Sequence, residues 1–413
     1  MSRRAPTVVD VAIVGGGMVG ASLALALGGT DKRVALIETV AADAAAQPSF
    51  DDRTSALGNG SRRIFEALGV WQQLAAHACA VREIQVSDAG HIGGARLNAA
   101  EQGLDALGFL VPNRHIGVAL WQQLATRPEL IIRNPARVRE VQLAEDCARL
   151  TVVAAAAVGA ARAAEVIEAR VVVAADGAHS LVRAAAGIAA LVEDYQQHAV
   201  VMHLATDRAA TDIAYERFTP TGPLAALPLV DGRYTVVWTL SPERATQVLA
   251  LDDAVFIDEL QRSFGWRIGR MQRVGARAAY ALQLSRAESV TGQRAVLVGN
   301  AAQALHPVAG QGFNLGLRDA ALLAELLAPA TDPGAPAVLE TFERRRASDR
   351  RGMIGFTDGL VKVFANDRPA AAVARNLGRL LFDLAPGAKR ALSRLSWGFG
   401  GDTPRLMRGL PVV

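Results

Sequence analysis

Three glycines at Gly15, Gly17 and Gly20, with an acid at Glu38, have the spacing that suits a phosphate-bridged nucleotide. In such a turn the first glycine makes the tight bend and the second lets backbone approach a pyrophosphate. The third packs helix on strand. An acid roughly 20 residues further on can accept a hydrogen bond from a ribose 2′-hydroxyl. The glycines and the acid alone do not separate FAD from NAD. A second constellation runs from Arg294 to Asp319, where Gly299 and Asn300 end an apolar run. His306, Pro307, Gly310, Gln311, Gly312, Phe313, Asn314 and Gly316 follow, ahead of a long apolar helix. Strand, loop and helix in that order aim backbone N–H groups and a positive helix end at one point, as an anionic cofactor requires. A third piece, Asp176-Gly177 with Arg183, closes another apolar run. Asp176 and Arg183 would lie beside a pyrophosphate, with Gly177 permitting close approach; His179 reads as a solvated turn residue.

The elements that must position these residues can be read from the apolar pattern. Val8 to Val14 is a short, almost wholly apolar run, the mark of a strand buried on both faces of a parallel sheet. Ala21 to Leu27 is helix-forming, and Arg33 to Ile37 is the next strand, so the chain opens on a βαβ unit. Ala169 to Ala175 and Ala295 to Val298 are further strands of the same kind. A nucleotide-binding sheet is therefore built from pieces distant in sequence. Between them, Val81 to Leu97, Val200 to Thr206, Ala214 to Phe218 and Arg233 to Leu240 read as strands of a more antiparallel sheet broken by Gly and Pro turns. Val153 to Ala164 reads as a strand pair or an extended loop. From about Thr331 the pattern is helical: Leu339 to Phe356, Val361 to Phe364, Ala370 to Leu384 and Ala388 to Trp397. The expected fold is α/β: a doubly wound cofactor domain (residues 1–80, 103–185 and 282–330) with an inserted mixed β-sheet substrate domain (81–102 and 186–281) and a helical C-terminal segment (331–413).

Composition excludes several classes. The chain has 413 residues, 51% of them hydrophobic, which is enough for a large core and argues against disorder. Net charge is +4, but the basic residues are scattered, so nucleic acid is not expected as a partner. Cys79 and Cys147 have no metal-ligand spacing and fit a reducing compartment. No metal site is expected. The run Val11 to Gly29 after Arg3 and Arg4 could pass for a signal peptide or anchor, yet Asp10 and the glycine pattern favour the strand-turn-helix reading. A soluble cytoplasmic protein is expected. Ala371 to Trp397 mixes Leu, Phe and Trp with Arg375, Arg379, Lys389, Arg390 and Arg394. Such a helix packs on its own domain or lies at the inner membrane surface, touching lipid or other enzymes of a pathway.

The motif G-N-A-A-Q-x-x-H-P-x-x-G-Q-G-x-N-x-G-x-x-D, ending at Asp319, resembles the C-terminal fingerprint of the flavin-dependent aromatic hydroxylases of ubiquinone biosynthesis. Phe50 to Leu57 with Arg53, Val111 to Gly117, Tyr215 to Phe218, Gly222 to Pro228, Phe264 to Gly269 and Asp402 to Leu410 are similar to further segments of that family. Pro112 stands where the family usually has an acid.

The resemblance implies FAD as cofactor and NAD(P)H as co-substrate. Oxygen adds to the reduced flavin as a hydroperoxide, whose distal oxygen attacks an electron-rich phenol. It implies that the flavin N1–C2=O edge meets the backbone of Gly312, Phe313 and Asn314, and that Arg53 lies near flavin and pyrophosphate. Pro307 would rigidify the loop facing the ring. His306 would touch substrate or hold that loop. A prenyl tail would need an apolar channel, with Tyr215, Phe218, Leu224, Leu227 and Pro228 as wall residues or plain core. The group hydroxylating 2-polyprenyl-6-methoxyphenol is the nearest resemblance, and other ring positions, a soluble phenol or a non-catalytic precursor-binding subunit are the alternatives. A flavin halogenase is disfavoured, because Trp71, Trp121, Trp238, Trp266 and Trp397 are never two apart. No residue is identified as the base that deprotonates the phenol.

Overall fold

The structure, a computed structural model, describes residues 5–41, 53–89, 94–155, 164–305, 310–364 and 402–413. Its first layer is a parallel sheet in which Ala295–Leu297, Glu165–Ala174, Thr7–Val14, Val34–Ile37 and Ile131–Arg133 lie side by side in that order. Val11 registers with Val171 on one side and Val34 on the other, and all three are fully buried. Strands covered on both faces have no use for polar alternation, so the sequence there is a continuous run of Val, Ala, Ile and Leu. The stretch Val11 to Gly29 is accordingly strand, turn and helix, with the helix at Met18–Leu27. Among the described residues no helix is long and apolar enough to cross a membrane.

An antiparallel pair, Ala136–Leu143 and Ala148–Ala154, flanks the parallel strands through Glu165–Ala174. Val153 thus belongs to a strand, while residues 156–163 lie outside the described residues. The strand expected from Ala169 begins four residues earlier, at Glu165.

The second layer is a nine-stranded sheet in which Gln303–Ala304, Ala278–Ala287, Ala190–Thr206, Tyr234–Leu240, Gly222–Pro228, Ile213–Thr219, Glu83–Asp88 and Gly94–Asn98 follow one another, with Met271–Val274 paired to Ala190–Thr206. The strand expected from Val200 is in fact 17 residues long. It carries an irregularity between Asp194 and Gln197, where Gln196 has a φ of 53°. The run expected as Val81 to Leu97 divides between sheets: Cys79–Val81 pairs with Gly108–Pro112 in a small third sheet, which also holds Thr54–Leu57. Helices Pro242–Leu249 and Asp253–Phe264 cover one face of the nine-stranded sheet through Leu224, Trp238, Val248, Phe256 and Phe264. Each aliphatic side chain buried there stabilises by about 1.5–3 kcal/mol relative to exposure.

The layers meet at the strand Gln303–Ala304, which follows the turn Gly299–Ala301 and pairs with Ser285 and Arg286. Beyond it, helix Gly312–Leu327 packs on Met18–Leu27 and on Pro336–Phe364. Pro336–Phe364 is one continuous helix where the sequence suggested two pieces. Residues 365–401, which contain the remaining expected helices, lie outside the described residues. After them, Leu406 and Met407 return to the core beside the parallel sheet.

Candidate functional site

Among the described residues, four helices of nine residues or more start in a way that suits a ligand. Met18–Leu27, Asn59–Ala67, Asn113–Ala125 and Gly312–Leu327 begin without a side-chain cap and with no acid in the first turn. The two helices that cover the second sheet do the opposite. Ser241 and Asp252 cap them, and Glu243 and Asp253 complement their dipoles. A helix start left bare leaves N–H groups and a partial positive charge unspent, as a phosphate or a developing anion requires.

The glycines around these starts are where backbone must come close. A Cβ on Gly20 would lie 1.9 Å from the Gly15 carbonyl oxygen, and one on Gly15, whose φ is 101°, would lie 2.4 Å from the Ala175 oxygen. Gly17, the residue before helix Met18–Leu27, is extended. Gly316 would meet the Gly299 Cα at 2.9 Å, which lets helix Gly312–Leu327 approach the turn after strand Ala295–Leu297. Among the described residues, Gly177, with a φ of 86°, would meet nothing within 4 Å of an added Cβ, and Gly312 would meet one atom, at 4.0 Å. These two can accept a ligand against their backbone.

Glu38 lies at the end of the second parallel strand, 8% exposed. Its carboxylate accepts from Gly16 N–H at 2.6 Å and from Val40 N–H at 2.8 Å, which holds it at the mouth of the glycine turn. Trp121 was not singled out from sequence; its indole N–H donates to the Gly16 carbonyl at 3.1 Å and closes the same turn. A Cβ on Gly16 would lie 2.8 Å from both Glu38 and Trp121, so this glycine is as constrained as its neighbours.

Asp176 accepts from Leu181 N–H at 2.8 Å through one oxygen, while its other oxygen is buried with no partner among the described residues. Burial pushes its carboxyl up, opposed by the Ser180 hydroxyl and the N–H groups of the following turn. An orphaned acceptor wants a donor, and a ribitol hydroxyl supplies one where a pyrophosphate does not. Arg183 donates to the carbonyls of Ala178 at 2.7 Å and Ala301 at 3.1 Å. It ties two loops together. Asn300, in the turn after Gly299, is exposed.

Asn314 is the pin of the arrangement. Its side-chain oxygen accepts from Gly58 N–H at 2.9 Å and Ser61 Oγ at 2.6 Å, and its amide donates to Ala56 O at 2.7 Å and Gly310 O at 2.9 Å. The side chain is saturated by protein, so only its backbone remains to meet a ligand. Phe313 stacks on Phe65 with centroids 6.1 Å apart. Gly310, at a φ of 60°, sits where a Cβ would lie 2.8 Å from Ala56. Gln311 immediately precedes the helix and is 6% exposed. His306 and Pro307 lie outside the described residues. Behind the helix start, Asp319 accepts from Arg346 at 2.6 Å and Gln303 at 2.8 Å, and Arg346 also donates to Asp349 at 2.5 Å. This buried network fixes helix, loop and Pro336–Phe364 together.

The proposed wall residues do not share one face. Tyr215, Leu224 and Pro228 point toward the covering helices; Tyr215 meets Tyr234 and Phe264, and Leu224 is part of that core. Strand alternation sends Phe218 and Leu227 to the other side. There Leu227 packs with Val81, Leu110 and Ala214, and Thr235 bonds Thr54 across the layers at 2.8 Å. Arg53 places its guanidinium 4.7 Å over the Tyr280 ring on that same face. Only Phe218 and Leu227 can therefore line a space between the layers; the other three are core.

Taken together, a buried acid at the glycine turn, an orphaned Asp176 oxygen, two open glycines and bare helix starts fit an extended dinucleotide. Comparison with known proteins agrees. The chain matches the FAD-binding-domain family over residues 8–357. It is 37% identical to the ubiquinone hydroxylase UbiL of Rhodospirillum rubrum, with 99% of this chain and 94% of the relative covered. It is 33% identical to the 3-demethoxyubiquinol 3-hydroxylase of Escherichia coli, with 94% of this chain and 98% of the relative covered. Among solved structures it resembles the p-nitrophenol 4-monooxygenase PnpA of Pseudomonas putida DLL-E4 in fold, with a TM-score of 0.78 at 21% identity and 96% and 99% of the chains covered. The chain belongs to the FAD-binding-domain family, as an FAD-dependent aromatic-ring monooxygenase with NAD(P)H as electron donor, alongside hydroxylases named for ubiquinone biosynthesis.

Proposed function

We propose that this chain hydroxylates the ring of a polyprenylated phenol in ubiquinone biosynthesis, taking 2-polyprenyl-6-methoxyphenol to the 1,4-benzoquinol. The observation that carries the reading is similarity along nearly the full length of both chains to a protein named a ubiquinone hydroxylase. A second reading, oxidation at another ring position, draws on the equally full-length relative named a 3-demethoxyubiquinol 3-hydroxylase.

FAD supplies the electron transfer and oxygen activation; the protein positions the ring and excludes water. Glu38 and the Gly15–Gly20 turn would hold the adenosine and pyrophosphate end. Asp176 would bond a ribitol hydroxyl. The backbone at Gly312, Phe313 and Asn314 would donate to the flavin edge that gains negative charge on reduction, aided by the dipole of helix Gly312–Leu327. Residues 1–80, 103–185 and 282–330 serve as the cofactor domain, and 81–102 with 186–281 as the substrate domain. The phenol would lie between the layers, against the face carrying Phe218 and Leu227.

Deleting the gene in its own host and weighing the accumulated lipid tests this. Accumulation of a 2-polyprenyl-6-methoxyphenol with loss of ubiquinone is expected. A 2-polyprenylphenol or a demethoxy-quinol would assign the other ring position. Unchanged ubiquinone with no prenylphenol would overturn the reading.

A further inference from the structure

Glu216 stands at the centre of strand Ile213–Thr219, and its neighbours fix the way it points. Tyr215 is held in the core under the covering helices, and Ala214 packs with Val81 and Leu110 on the opposite side. By alternation Glu216 shares the face of Ala214 and Phe218, the one turned toward the cofactor layer. Register puts Val86 on one side of it and Ala225 on the other, with Val237 and Val201 on the next rungs. The surroundings are apolar. Among the described residues its carboxyl has no hydrogen bond or ion pair, and the residue is half-buried in this face.

Among the described residues, the ionisable groups on this face or set against it include Asp88, His203, Tyr280, Cys79, Arg53 and Arg114. None of them perturbs Glu216; burial alone pushes its carboxyl up, to about 7. A carboxyl set without a partner among apolar side chains, and only partly in contact with solvent, is costly to ionise, so a protein keeping one in such a wall needs a reason for it.

We propose that Glu216 receives the hydroxyl proton of the phenolic substrate, an assignment that rests on the phenol-hydroxylase function above. The O–H bond of the phenol breaks and its proton passes to a carboxylate oxygen of Glu216. The electron pair stays on the phenol oxygen and is released into the ring as an ortho or para carbon forms its new bond to oxygen. That carbon then loses its hydrogen as a proton, which restores aromaticity. The two electrons and the oxygen atom come from NAD(P)H and O2, so the proton transfer itself changes no oxidation state. The carboxylate works only when ionised, so turnover rises with pH through its titration near 7.

The test compares wild type with Glu216→Gln and Glu216→Asp as purified flavoproteins, using 2-geranylphenol and a meta-difluorinated counterpart with a more acidic hydroxyl. With 2-geranylphenol, Glu216→Gln should lose on the order of 10²–10⁴-fold in kcat with KM within a few-fold of wild type. NAD(P)H oxidation should continue, with peroxide released in place of product. The acid limb of the pH profile should vanish in Glu216→Gln and persist in Glu216→Asp. The gap between wild type and Glu216→Gln should narrow at least ten-fold on the fluorinated phenol, because an acidic hydroxyl needs no base; a merely structural role would leave it unchanged. A Glu216→Gln variant that keeps the acid limb and full turnover would overturn the proposal. Should that variant fail to retain flavin, a wild type without an acid limb would overturn it. Should wild type hydroxylate simple phenols and not 2-geranylphenol, the substrate reading fails and the same comparison on the simple phenol still decides Glu216.

Discussion

The carboxyl of Glu216 binds its proton more tightly in the folded chain than in the unfolded one, because burial raises its pKa from 4.5 to about 7. Its ionisation therefore opposes folding: stability is lost as pH rises from about 4.5 to about 7, by roughly 3 kcal/mol on this linkage. Glu216→Gln should raise the midpoint of urea unfolding at pH 8 and leave it nearly unchanged at pH 4, while it lowers turnover. A gain at both pH values would mean that the glutamine acts through packing. Asn314 is the opposite case, a residue whose four bonds are all used. Asn314→Ala should cost about 2–4 kcal/mol in denaturant unfolding, since buried groups on two loops lose partners, and should weaken flavin retention. Glu38 and the glycines were legible in sequence because their roles depend on spacing along the chain. Glu216 and Trp121 were not, because their significance comes from strand register and from a turn more than a hundred residues away.

Among the elements, helix Gly312–Leu327 is the one on which most depends. Its first turn carries no side-chain cap and no acid, and its far side is locked by Asp319, Arg346 and Asp349, all at most 5% exposed. Removing one member of a buried ion pair leaves the other uncompensated, so Arg346→Met should destabilise by about 3–5 kcal/mol. The double variant Arg346→Met with Asp319→Asn should recover part of that loss, read by the same unfolding curves. Gly316→Ala places a methyl 2.9 Å from backbone and should push the helix off the Gly299 turn. The purified variant should release flavin on gel filtration where wild type holds it. The parallel strands could be read from unbroken apolar runs. The division of Val81 to Leu97 between two sheets could not, because pairing partners are set by tertiary contacts and not by local pattern. The same limit put Tyr215, Leu224 and Pro228 with Phe218 and Leu227, when alternation along two paired strands sends them to opposite faces.

Over the whole molecule, two layers joined through Gln303–Ala304, Thr54–Thr235 and Arg53–Tyr280 leave the cofactor turns on one side and the Glu216 face on the other. The central claim is the reaction proposed for that arrangement: hydroxylation of a prenylated phenol's ring with an oxygen atom from O2. It is tested most directly by supplying the purified flavoprotein with NAD(P)H, 2-geranylphenol and isotopically labelled O2, and weighing the product. One labelled oxygen atom in the ring of the geranylated product, with NAD(P)H consumed in step, is the predicted result. NAD(P)H oxidation that yields only peroxide with the phenol unchanged, or a hydroxyl carrying unlabelled oxygen from water, would contradict it.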